Sequence, residues 1–470
     1  MLPKKLYRHL LPALLVGLAL RLFLIWQYPF ASGDTPYYEE LARNWLYHGV
    51  YGFFSNGHLY PSDARMPGYP GFLAAIYSLA GPGRSAVFVA QALVDLATCV
   101  LAACIAARLA DGASERLRGR ITVTALWLTA LCPFTANYST ALLTEVLATF
   151  LTTLAILIFL HPISFELDGG RGARKILRSV ALWLLGGIVA GLGTLVRPET
   201  PLLLVAVLVA YWLRRWRPVN WGKLALASLW MTVGALVVLT PWAARNARQL
   251  GRVQYLAPRY AETYGDVMPT GFYAWTKTWM FRFRDAYLFT WKLPSSAIAV
   301  SDVPAYAFDS ADERNRVTLL LERYNRQRSM TVQMDAEFAQ LAGERTRRHP
   351  FRSYVWIPIE RVSAMWFTPK TALLPYSGKL WPLREAWNEG PRGFEITLGF
   401  GILNILYAGL GLLGAAYWRQ SPGIVLIVLF IVIRTVFLTQ LQTCEPRYVV
   451  LCLPAMLAIG AQSWRIRRKD

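Results

Sequence analysis

Acidic residues are scarce in this sequence. Asp and Glu number 28 against 49 Lys and Arg in 470 residues, and charged residues of both signs make up only 16%. A soluble chain of this length would split into two or three domains and carry about 25% charge, so an ordinary soluble enzyme is excluded. Cysteine is equally sparse. Cys99, Cys104, Cys132, Cys444 and Cys452 all lie in or beside apolar runs, and none falls in the longest polar stretch. That excludes a disulfide framework and leaves no zinc motif. His48, His58 and His349 show no ligand spacing with acids, so no cofactor is required and a divalent metal is not expected. The apolar runs form no convincing repeat, which argues against an inverted-repeat transporter. A cleavage site is missing too. Met1 to Arg8 and then Leu10 to Ile25 could pass for a signal peptide, but Leu22 to Pro29 is too bulky to be cut, so the segment reads as an uncleaved span.

Apolar residues are abundant. The chain is 55% hydrophobic and 13% aromatic, gathered in long runs, which predicts an all-α polytopic membrane protein. The net charge of +21 is scattered between those runs and not collected on one polar domain. That pattern excludes nucleic acid as a partner. It suits the orienting of spans and contact with the lipid bilayer or with phosphate.

Lys4, Lys5 and Arg8 before a first span at about 9–27 place the N-terminus in the cytoplasm and the loop 28–66 outside. The apolar run from Pro67 to Ala80 is too short to cross about 30 Å and reads as a re-entrant or interfacial helix. Basic clusters then fall on the side that parity requires: Arg116, Arg118 and Arg120, then Arg171 and Arg174, then Arg214, Arg215 and Arg217, and finally Arg467, Arg468 and Lys469. The count is about ten full spans, with both termini cytoplasmic, in a plasma (inner) membrane. Residues 1–246 read as an N-terminal transmembrane catalytic module, 247–393 as a small extracytoplasmic domain with interfacial helices, and 394–470 as C-terminal transmembrane helices. Within the polar part, Asp309 to Gln327 and Thr331 to Arg348 predict two charged helices, and Tyr354 to Phe367 an interfacial one. Trp275, Trp279 and Trp291 are aromatics that could stack on sugar.

The stretch Ser32-Gly33-Asp34-Thr35-Pro36-Tyr37-Tyr38-Glu39-Glu40 follows the first span directly. Thr35 suits an N-cap and Pro36 a first helical residue, which leaves Asp34 just outside a helix ending near Gly49. Tyr37, Tyr38, Leu41, Ala42, Trp45 and Leu46 form one face, with Glu39 and Glu40 on the wet side. Alone, Asp34 is equally a helix-start acid favoured by the macrodipole. The side assignments add company. Asp34, Asp63, Arg65, Asn137, Glu145, Arg197, Glu199, Arg245, Asn246, Glu445 and Arg447 all fall at outer span ends, beside Tyr69, Trp242 and Tyr448. Singly these are cheap edge charges. Collected, the arginines suit a lipid-linked phosphate, and a carboxylate among them suits removal of a hydroxyl proton.

The motifs Gly33-Asp34-Thr35-Pro36-Tyr37-Tyr38, Arg65-Met66-Pro67-Gly68-Tyr69-Pro70, Leu143-Thr144-Glu145, Arg197-Pro198-Glu199, Pro241-Trp242-Ala243-Ala244-Arg245-Asn246, His349-Pro350 and Glu445-Pro446-Arg447-Tyr448 occur in that order. In this order the chain resembles the GT-C glycosyltransferases of the protein mannosyltransferase and lipid A aminoarabinose transferase type. The resemblance implies a cell-envelope enzyme that moves a sugar from a polyprenyl-phosphate donor to a lipid, glycan or protein acceptor. By that resemblance Asp34 is the acid that activates the acceptor and Arg65 binds donor phosphate, with Arg245 and Arg447 as further phosphate ligands. Tyr37, Tyr38, Asp63, Tyr69, Glu145, Arg197, Asn246, Glu445 and Tyr448 are supporting candidates. Met66 and Ala64 depart from the pattern of relatives, which puts a second carboxylate, and any metal on it, in doubt. The competing reading is a transporter or flippase of a lipid-linked or anionic substrate. It would use charges deep in spans, of which Arg434 and then Asp95 are the foremost.

Overall fold

The computed structural model describes residues 4–31, 33–165, 173–213, 221–258, 267–293 and 296–467. Ser32, Arg171, Arg214, Arg215, Arg217, Arg468 and Lys469 lie outside the described residues. The chain divides into two compact units, one made of 1–258, 369–434 and 450–470, the other of 259–368 and 435–449.

The first unit opens with α1 (Lys4–Gln27), α2 (Thr35–His48), β1 (Gly52–Ser55), β2 (His58–Pro61), α3 (Gly68–Ala80), α4 (Arg84–Leu109) and α5 (Glu115–Ala130). It continues with α6 (Pro133–Ala136), α7 (Glu145–Phe165), α8 (Ala173–Val196), α9 (Leu202–Leu213) and α10 (Trp221–Leu250). The second unit holds α11 (Thr270–Lys277), α12 (Phe283–Leu288), α13 (Ala311–Gln327), α14 (Val332–Arg348) and α15 (Ile357–Phe367). Then come α16 (Leu383–Glu389), α17 (Pro391–Ala415), α18 (Pro422–Thr439), whose last turns belong to the second unit, and α19 (Leu453–Gly460).

Among the described residues, seven helices are long and apolar enough to cross a membrane, and the apolar helices Glu145–His161 and Leu202–Leu213 are shorter. The protein is an all-α polytopic membrane protein, with one short hairpin among the described residues. Charge buried in these helices is paired. Arg21 of α1 donates to Asp95 of α4 at 2.5 and 2.9 Å and to the carbonyls of Gly17 and Ala130. The backbones of α8 and α10 approach closely because glycines line the crossing: a Cβ at Gly187 would stand 2.2 Å from the Met231 carbonyl, and one at Gly234 2.3 Å from that of Leu184.

The second unit has its own core, built from Phe272, Trp275, Trp279, Phe289, Val317, Tyr324 and Phe338 among others. The two predicted charged helices are α13 and α14, and each begins with a side-chain cap. Ser310 accepts from the Glu313 amide and Thr331 from the Met334 amide. Trp275 and Trp279 are fully buried in this core and cannot stack on a sugar; only Trp291 is exposed. Aromatics that read as polar-domain surface were the apolar material that lets so charged a segment fold.

In α2 the structure corrects the sequence reading by one residue. The helix starts at Thr35, so Asp34 occupies the N-cap position without a side-chain capping bond. Thr35 is the first helical residue and fully buried, with its hydroxyl 3.5 Å from the Leu142 carbonyl. Glu39 is not on a wet face. It is buried and takes two hydrogen bonds, at 2.8 and 2.7 Å, from Arg84 at the start of α4. Asn44, read as lying away from the apolar face, is buried on the Gly52 carbonyl. The loop after α2 also holds a hairpin the sequence reading left unassigned. β1 and β2 pair antiparallel, with Ser55 opposite His58. Asn56 (φ 49°) and Gly57 (φ 78°) form the two-residue turn that an Asn-Gly pair favours.

Candidate functional site

The site grows from the start of α2. The chain leaving α1 is pinned by the Phe30 amide donating to the Thr140 carbonyl at 3.0 Å. Four residues later Asp34 comes out at the helix N-terminus, where the free amides and the macrodipole favour an ionised carboxylate. Arg65 reaches back across the loop, its Nη2 3.4 Å from Asp34 Oδ1. Both side chains remain partly open, 35% for Arg65 and 27% for Asp34. Arg65 also lies 5.9 Å over the Tyr37 ring. This pair is long and half-buried, so it contributes little to stability. A carboxylate and a guanidinium held together but loosely can respectively accept a proton and bind an anion.

The arm carrying Arg65 is held from below by Arg245, near the end of α10. Arg245 donates to the Ser62 carbonyl at 2.9 Å, to the Tyr51 carbonyl and to the Asn246 side chain. Its guanidinium lies 5.1 Å over Trp242 and 5.5 Å over Tyr51. The Tyr51 hydroxyl donates onward to the Arg65 carbonyl at 3.0 Å. Asn246, fully buried, ties the chain after α10 by donating to the Gln254 carbonyl. Asp63 pairs with Arg252 at 3.0 Å.

Beneath Asp34, Tyr38 is buried with its ring edge-on to Tyr69, 5.1 Å between centroids. Burial, with the Asp34 charge adding to it, pushes the Tyr38 phenol up to about 12, against the pull of Arg65 and Arg197. Tyr69 donates to Gln91 of α4 at 2.8 Å, and Gln91 donates to the Ala141 carbonyl at 2.9 Å. Further along, Arg197 bridges Glu145 at 2.6 Å and Glu199 at 3.2 Å, and Arg434 of α18 reaches Glu199 at 3.0 Å. Burial pushes the Glu199 carboxyl up, yet the Arg434 and Arg197 guanidiniums together hold it below the usual carboxylate range. The deep charges that a transporter reading would use are thus built into ion pairs.

Asp34, Arg65, Tyr37 and Tyr38 are brought together, with Glu145 and Arg197 near enough to act electrostatically on Tyr38. Glu445, Arg447 and Tyr448 form a cluster of their own in the second unit. Arg447 pairs with Glu445 at 2.6 Å, and the Tyr448 hydroxyl donates to the same carboxylate at 2.6 Å. Among the described residues no group of three or more His, Cys, Asp or Glu stands together as metal ligands. Sequence reasoning missed Tyr51, Gln91, Arg84 and Arg21. Arg21 stands within the apolar run of α1 and Arg84 at the start of that of α4, which was a usable signal; Tyr51 and Gln91 carried none.

The helical architecture is shared with a solved archaeal oligosaccharyltransferase. The chain is similar over 97% of its length to the apo crystal structure of the Archaeoglobus fulgidus oligosaccharyltransferase, with a TM-score of 0.53 and 14% identity, covering 50% of that chain. The same holds for that organism's oligosaccharyltransferase AglB in complex with an inhibitory peptide and a dolichol-phosphate (TM-score 0.51, 13% identity, 97% and 50% covered). The chain spans about half the length of the oligosaccharyltransferase it matches. ArnT from Cupriavidus metallidurans bound to undecaprenyl phosphate aligns at a TM-score of 0.41 and 12% identity, over 96% of this chain and 77% of that one. No protein-family model and no curated protein matches the sequence.

Proposed function

We propose that this protein is a membrane glycosyltransferase that moves a sugar from a polyprenyl-phosphate donor to a hydroxyl of a lipid, glycan or protein acceptor on the extracytoplasmic side. The observation that carries this reading is the loose, solvent-reachable Asp34–Arg65 pair at the α2 N-terminus. The fold supports it, because an oligosaccharyltransferase of the same fold is recorded with a dolichol-phosphate.

In this reading Asp34 takes the proton of the acceptor hydroxyl as its oxygen forms the new bond to the sugar's anomeric carbon. The bond from that carbon to the donor phosphate oxygen breaks in the same displacement, which inverts the centre. The leaving polyprenyl phosphate carries away the electron pair, and Arg65 stabilises its charge. Arg245 is a further phosphate ligand in this scheme and also fixes the loop that carries Arg65. No metal takes part in the scheme.

The test is Asp34→Asn in the full chain, measured for transfer from a polyprenyl-phosphate sugar and for donor binding. Loss of a general base costs about 10²–10⁴ in rate, while donor binding should persist. Wild-type turnover by Asp34→Asn overturns the assignment.

A further inference from the structure

Exposed apolar side chains gather along one stretch of the second unit. Residues 350–367 form one continuous helix, in which a π-turn at Arg352–Trp356 runs directly into α15. Phe351, Tyr354, Val355, Trp356, Ile359 and Phe367 are all exposed, Tyr354 at 72% and Phe351 at 68%. Positions 351, 355, 359 and 367 follow helical repeats along one side, and the wide π-turn lets three successive residues, 354 to 356, face outward together.

The opposite side is fixed. Ile357, Arg361 and Met365 are buried. Arg361 donates to the carbonyls of Met280, Thr439 and Leu441, each at 2.9 Å. Met365 packs with Leu438, Cys444 and Val449. With Arg361 held by three carbonyls, the apolar stripe has no way to roll inward.

What covers the stripe follows from where the helix is tied. Thr435 to Thr439 are the last residues of α18, one of the helices able to cross a membrane. Arg361 is bonded to Thr439, and the Trp366 indole donates to the Thr435 hydroxyl at 3.2 Å. The helix is therefore fastened to a span where that span ends, the depth at which headgroups meet acyl chains. Its N-terminal end is basic: Arg347, Arg348 and His349 are exposed there. Asp309 lies near two of them, 3.9 Å from Arg348 and 3.8 Å from His349, but its single carboxylate is bonded more closely by Arg352 at 2.6 and 2.8 Å and by Arg345 at 3.3 Å, so the basic groups outnumber it and the end keeps a net positive charge.

We propose that residues 350–367 lie in the plane of the membrane surface, with the apolar stripe in the bilayer interface. Arg347 and Arg348 then bind the headgroups of anionic phospholipids. The surface is a lipid-recognition element separate from Asp34 and Arg65, and it stands whether or not the chain transfers sugar.

The experiment uses the full chain in nanodiscs, with Ile359→Cys carrying a bimane label and nitroxide-headgroup lipid as quencher. Leu319→Cys, exposed on α13 away from the stripe, is the reference, and labelled native protein gives the background of the five native cysteines. Strong quenching at 359 with little at 319 is expected; equally weak quenching at both overturns the in-plane placement. An anionic surface favours each nearby arginine by about fivefold. Replacing phosphatidylcholine with phosphatidylglycerol should therefore deepen quenching at 359, and both high salt and the pair Arg347→Gln, Arg348→Gln should abolish that gain. Quenching indifferent to headgroup charge and salt overturns the anionic-lipid part, and the salt titration decides it even should the double variant fail to fold.

Discussion

Arg65 and Asp34 stand 31 residues apart in sequence and 3.4 Å apart in space. The Arg65 guanidinium also donates to the Ala64 carbonyl at 3.2 Å and lies over the Tyr37 ring. A planar fork so lightly held is suited to a bidentate grip on phosphate, which an ammonium cannot reproduce. Arg65→Lys should raise the donor KM by about tenfold, in keeping with loss of one charge-assisted hydrogen bond, and alter kcat less. Steady-state kinetics in both substrates check this, and a fall in kcat with KM unchanged would move Arg65 from phosphate ligand to support for Asp34.

The hairpin sets where Arg65 sits, through Tyr51 and Arg245. A Cβ at Gly52 would lie 1.9 Å from the Tyr60 carbonyl, so β1 and β2 must separate in Gly52→Ala. The Asn44 bond to the Gly52 carbonyl is disturbed with them. Transfer should fall by more than tenfold, while the thermal midpoint shifts by only a few degrees because the hairpin adds about 1 kcal/mol or less. Unaltered transfer would show that the loop position does not matter.

Arg21 and Asp95 form the ion pair most deeply buried in the first unit. Removing one partner strands a charge, at a cost of about 3–5 kcal/mol. Arg21→Leu should markedly lower thermal stability in detergent, and adding Asp95→Leu should restore much of it. A double variant as unstable as the single would mean that the carbonyl bonds of Arg21 to Gly17 and Ala130 matter more than the pair.

Tyr38 makes alkaline pH informative. Its folded phenol titrates near 12, above the ordinary value of 10. Between those values the unfolded chain has lost the proton that the folded chain retains, so stability is full below pH 10 and declines as pH rises toward 12. Two pH units correspond to about 3 kcal/mol. Tyr38→Phe should flatten that part of the stability profile, measured by thermal unfolding from pH 9 to 12. A profile unchanged by the substitution would place the alkaline loss on other tyrosines.

Local patterns decided much of this protein in advance. Long apolar runs specify membrane-crossing helices because each residue's lipid preference adds independently of what packs beside it. Ser310 and Thr331 announce α13 and α14 because a cap acts within three residues. The short run after Pro67 is a 13-residue helix for the same reason, and Asn56-Gly57 was a hairpin signal of equal quality. Asp34 and Arg65 stood out in the sequence as charges beside a span end. Their pairing did not, and neither did the burial of Glu39 against Arg84, of Asp95 against Arg21, or of Glu199 against Arg434. Those partners lie 45, 74 and 235 residues apart. Whether a charge meets water or another charge depends on which helices become neighbours, and only the packed fold fixes that. The sequence determined the helices and the residues suited to chemistry; the tertiary structure decided which of those charges were consumed by folding and which were left loosely held at the surface.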